Sequence, residues 1–113
     1  MPQQFADPEV IAREQQAERA RQLARDSAER ERERREYEVK AAAQRAWAQR
    51  RDELQRRLVE ARHVLGQVEG RLESARQAGD FTRAVAESSG IAPAQELVSR
   101  CDRELRAHLR QQP

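Results

Sequence analysis

The chain has 113 residues, of which 22 are basic and 20 acidic, for a formal net charge of +2; charged and hydrophobic residues each make up 37%. Ala, Glu, Arg and Leu in helical periodicity are the composition of long helix or coiled coil, and they exclude an ordinary globule with a sizeable core. No apolar run approaches the ~18 residues that span a bilayer, and no apolar secretory core is seen, so a cytoplasmic protein without a membrane span is expected.

Residues 1–7 read as a disordered tail whose last residue doubles as a helix cap. In Asp7-Pro8-Glu9, Asp serves as N-cap, Pro takes the first helical position and Glu sits in the first turn. From there to Gly66 neither Gly nor Pro occurs. The sequence therefore predicts one helix from Pro8 to Ala78, roughly 105 Å long at ~1.5 Å per residue.

The first part of that helix, residues 8–43, is predicted to be a solvated, charged arm. Between Glu14 and Glu36 its only large aliphatic residue is Leu23. Opposite charges recur four residues apart at Glu9–Arg13, Asp26–Arg30, Glu31–Arg35 and Glu36–Lys40. Each such pair adds about 0.2–0.5 kcal/mol to a helix in water, and like-charge pairs such as Glu29–Glu33 offset part of that gain. The run Glu29–Glu36 has the composition of a solvated face.

Residues 44–113 are predicted to form a helical hairpin. Leu54, Leu58, Ala61, Leu65, Val68, Leu72 and Ala75 alternate in steps of four and three, which is a heptad seam. Leu occupies the a positions 58, 65 and 72, while Ala or Val stands at the d positions after Leu54. Small residues at d favour close antiparallel approach of a second helix. Val64 at g widens the stripe beyond a strict zipper. Gly66, Gly70, Ser74 and Ala78 recur on the far side and read as local softness near the turn, at a cost of about 1 kcal/mol for each glycine.

Gly79-Asp80 is a helix stop with a new cap directly after it. A short turn helix is expected over 81–88 and a last helix over 93–110, opened by Pro93. On the latter, Leu97, Cys101, Leu105 and Leu109 stand four residues apart and are taken as its seam. Phe81, Val85 and Ile91 are expected to fill the corner. The fold class is all-α: a long helix that forms an antiparallel hairpin or coiled coil with a C-terminal helix.

Chemistry is sparse. No phosphate-binding glycine loop, CxxC or HExxH occurs. His63 and His108 are the only histidines and are assigned to the surface or rim, because a zinc site needs three or four clustered ligands. Cys101, the only cysteine, excludes an intrachain disulfide and reads as a small buried hydrophobe. No catalytic residue, cofactor or metal is assigned.

All basic residues but Lys40 are arginine, and residues 37–78 carry nine basic against six acidic side chains. The densest stretch comprises Arg45, Arg50, Arg51, Arg56, Arg57 and Arg62, with Trp47 beside it. Asp52–Arg56 and Glu53–Arg57 are spaced to pair, which leaves few arginines for phosphate. The expected function is therefore non-enzymatic: a scaffold, adaptor or assembly factor that associates through helices, with itself or with a protein partner. The alternative is an arginine-rich accessory protein binding nucleic acid through 45–62, which strong salt dependence would reveal.

Overall fold

A computed structural model describes residues 7–113, and the tail expected before Asp7 lies outside them. The described chain is all-α, with α1 at Pro8–Gln77, α2 at Phe81–Ser88 and α3 at Ile91–Leu109. It divides into two units, one ending at Ala42 and the other comprising Ala43–Pro113.

In the first unit α1 starts on Asp7, whose carboxylate accepts the Glu9 N–H at 3.0 Å. Its carbonyl takes the Ile11 N–H, also at 3.0 Å, and so closes the first turn. Beyond that turn the unit is held by local pairs along the helix surface. Glu18 accepts from Arg21 at 2.8 Å and from Arg25 at 3.1 Å. Glu31 pairs with both Arg34 and Arg35. Arg30 does not meet the Asp26 carboxylate but donates to the Asp26 carbonyl at 3.3 Å, while Gln22 occupies that carboxylate at 2.9 Å. No described side chain of this unit is buried. Its stability rests on the helix propensity of Ala, Glu, Gln and Arg, and on exposed pairs worth a few tenths of a kcal/mol each.

In the second unit the remainder of α1 packs against α3 as an antiparallel hairpin. The long helix ends in a Schellman motif: Gly79 adopts φ +65°, its N–H bonds the Arg76 carbonyl at 3.1 Å, and the Asp80 N–H bonds the Ala75 carbonyl at 3.0 Å. Only glycine reaches that φ without strain. Asp80 then caps α2 by accepting the Arg83 N–H at 3.1 Å.

The last helix begins at Ile91, two residues before the expected Pro93, with Gly90 as its N-cap. Pro93 fits because it takes the third helical position, where the missing N–H would have had no partner within the helix. Gly90 also marks a close approach: a Cβ built there would lie 3.3 Å from Val68 Cγ1. Its missing side chain lets the start of α3 lie directly against α1.

The core of this unit is narrow. Leu58, Ala61 and Cys101 form its centre, with Val98 and Leu105 packed against them. Leu54, Val68, Ala75 and Ala94 are also buried. The corner is not filled as its composition suggested. Phe81 is 84% and Val85 65% exposed, so α2 turns these side chains outward, and only Ile91 is half-buried.

Candidate functional site: the seam and the hairpin tip

Of the expected α1 seam, Leu54, Leu58, Ala61, Val68 and Ala75 are buried, and Leu65 and Leu72 are half-buried. On α3 the line differs from the expected one. Leu97 and Leu109 remain 38% and 43% exposed, while Ala94, Val98, Cys101, Leu105 and His108 are buried or half-buried. Their spacing is four, three, four, three, a heptad line matching that of α1. A run at strict four-residue steps drifts about 40° around the helix at each step, so it leaves the interface after two steps. Cys101 and Leu105 belong to both lines, and that overlap is why the leucine stripe misleads.

The open end of the hairpin is closed by a polar clasp. Trp47 Nε1 donates to the His108 carbonyl at 3.1 Å, and His108 Nε2 donates to the Trp47 carbonyl at 2.8 Å. The rings stack with centroids 5.1 Å apart and planes inclined by 15°. The Arg51 guanidinium lies over the indole at 5.4 Å. Both residues extend their heptad lines beyond the hydrophobic core. Spacing alone places Trp47 on its line, whereas its pairing with His108 has no signal in the sequence but the matching register.

The arginine stretch is divided. Glu53 accepts from Arg50 at 3.0 Å and from Arg57 at 2.7 Å. Arg51 pairs with Asp52 at 3.2 Å, in place of the Asp52–Arg56 pair that spacing suggested. The hydrogen bond from Arg50, then the charge of Arg57, holds the Glu53 carboxyl below its ordinary value of 4.5. Arg45, Arg56 and Arg62 are exposed and enter none of the ion pairs formed among the described residues.

At the opposite end, the turn between α1 and α2 forms a groove of about 280 Å³. Leu72, Ala75, Ala84, Val85 and Phe81 give it an apolar lining, and Arg76 and Asp80 supply one charge of each sign. Sequence reasoning puts Phe81 and Val85 in a closed corner instead. The periodicity of an eight-residue helix names its apolar face but not the direction in which that face points.

Among the described residues, no three His, Cys, Asp or Glu side chains are grouped so as to hold a metal ion, and no helix is long and apolar enough to cross a membrane. No protein-family model matches the chain, and no curated protein or solved structure shows significant similarity to it.

Proposed function

We propose that this is a non-enzymatic, cytoplasmic helical-hairpin interaction protein, a scaffold, adaptor or assembly factor that associates through its helices with itself or with a protein partner. The observation that carries this reading is the helix of the first unit, in which no described side chain is buried. Helices in proteins owe most of their stability to tertiary packing. A helix without a buried face, held by local ion pairs along its surface, suits a bridging or presenting element. The second unit, by contrast, satisfies its own heptad seam, so association through residues 54–75 would require the hairpin to open. The exposed surfaces available to partners include the arm, the hairpin tip and the α3 flank that carries Leu97 and Leu109.

A second reading, polyanion binding through 45–62, has Arg45, Arg56 and Arg62 in its favour. Sedimentation velocity of the full chain across micromolar concentrations, at low and high salt and with and without duplex DNA, separates the two. Helix association through mainly apolar contacts predicts self-association that salt weakens no more than several-fold and no co-sedimentation with DNA. Co-sedimentation that weakens steeply with salt would overturn the reading in favour of nucleic-acid binding.

A further inference from the structure

The groove at the hairpin tip is built from a rigid turn. Gly79 adopts its left-handed conformation and Asp80 caps α2, so the backbone of Phe81, the first residue of α2, is held in a defined position. Phe81 is 84% exposed and forms part of the wall of a groove that Leu72, Ala75, Ala84 and Val85 also line. An exposed aromatic side chain and an apolar groove therefore share one surface.

The charges on this groove have the same self-complementary character. Arg76 and Asp80 both line it, and neither takes part in the ion pairs formed among the described residues. Asp80 uses Oδ1 to cap α2, so Oδ2 remains for a partner. A two-fold axis brings one patch against an identical patch, with residue i facing j and j facing i. Such an axis would seat each Phe81 in the opposite groove and set each Arg76 against the opposite Asp80.

We propose that the hairpin tip is a homodimerisation site, in which Phe81 of each copy fills the Leu72–Val85 groove of a second copy and Arg76 pairs with Asp80 across the axis. This rests on the reading of the chain as a helical association protein and names one partner and one surface for it. The area sets the strength. A buried aromatic contributes about 150–250 Å², and with Val85 the tip offers on the order of 300 Å² per copy. Stable interfaces bury about 800 Å² per partner, so the dimer is a weak, concentration-dependent one.

The test is sedimentation velocity of the full chain from micromolar to millimolar concentration, with four variants. Helix content and Trp47 fluorescence show that each variant keeps the hairpin. The wild-type chain is expected to pass from monomer to dimer and to stop there, because a two-fold contact is closed. Phe81→Ala should weaken the dimer at least tenfold, as loss of a central aromatic anchor does. Asp80→Asn keeps a good N-cap but removes the charge. It and Arg76→Gln should each weaken the dimer several-fold, and the double variant no further than either alone.

A chain that is monomeric at every concentration would overturn both the tip dimer and self-association. A dimer indifferent to Phe81→Ala would overturn the tip site alone and leave association through another helical surface standing. Growth beyond the dimer would overturn the two-fold arrangement.

Discussion

Leu58→Ala is the most direct test of the seam. Leu58 is 6% exposed and sits at the centre of the cluster formed with Ala61 and Cys101, against which Val98 and Leu105 pack. The substitution removes three buried carbons, worth about 2.4 kcal/mol at ~0.8 kcal/mol each. The cavity term is small, because a two-helix layer is open to solvent on both flanks and can close around the gap. The loss therefore falls near the low end of the ~2–5 kcal/mol range for core Leu→Ala changes, at about 2–3 kcal/mol. A core of this size supplies only about 3–5 kcal/mol, so most of the hairpin's stability depends on this side chain. Thermal unfolding followed by Trp47 fluorescence should show a midpoint lowered by roughly 10–20 °C. Trp47 is the only tryptophan and stacks on His108 of the opposing helix, so its emission reports closure of the hairpin directly. The control is Val59→Ala: Val59 is 64% exposed on the same helix and should change stability by no more than about 0.5 kcal/mol. Equal midpoints for the two variants would refute closure of the seam by α3.

The glycines of α1 give the opposite sign. A Cβ built at Gly66 or Gly70 meets nothing within 4 Å, so Gly66→Ala and Gly70→Ala should each stabilise by about 1 kcal/mol in urea unfolding. Destabilisation by either would show that a partner packs on that face. His108→Ala removes one hydrogen bond to the Trp47 carbonyl and the ring stack, a combined loss of about 1–3 kcal/mol; Trp47 emission should shift towards that of a solvated indole, and an unchanged spectrum would argue against the clasp. Glu53 has its carboxyl pKa depressed in the folded chain, so its contribution is full above the ordinary value of 4.5 and is lost as pH falls through the lower folded value. The stability difference between wild type and Glu53→Gln, measured by unfolding at neutral and at acid pH, should therefore shrink on acidification; a difference that persists in acid would rule out the ion-pair origin.

The α1 seam is legible in the sequence because Leu and Val recur over three heptads, and because a heptad line keeps the same side chains facing one neighbour along the whole contact. The α3 seam is only half legible. Two of its five positions, Ala94 and His108, carry no hydrophobic signal, while the exposed Leu97 and Leu109 carry a strong one. Burial on α3 is set by the register that α1 imposes, and that register is a tertiary property. The tip escapes sequence reasoning for a related reason. The stop at Gly79 and the cap at Asp80 are written in the residues, but the direction in which they aim α2 depends on the turn geometry. Ion pairs obey the same rule: Glu53–Arg57 forms at its spacing, whereas Asp52 turns to Arg51, since an exposed carboxylate has several neighbours within reach and small energies separating them.

The clasp explains how so narrow a core can fix a register. The buried positions at the middle and tip end of the hairpin are mostly small or medium: Ala61, Val68, Ala75, Ala94 and Cys101. Small side chains let the helices approach closely, but shifting one helix by a heptad would place similar residues opposite one another at modest cost. Directional bonds discriminate where apolar contacts do not. A displacement of α3 along α1 would break both hydrogen bonds between Trp47 and His108 and unstack their rings, leaving the indole N–H and the imidazole N–H without these partners in a half-buried place. At the other end Gly90 is the steric counterpart, since a Cβ there would lie 3.3 Å from Val68 Cγ1 and 3.4 Å from the Glu87 carbonyl and would press on both. The apolar seam thus supplies the attraction, while Trp47, His108 and Gly90 select the alignment in which α1 and α3 meet.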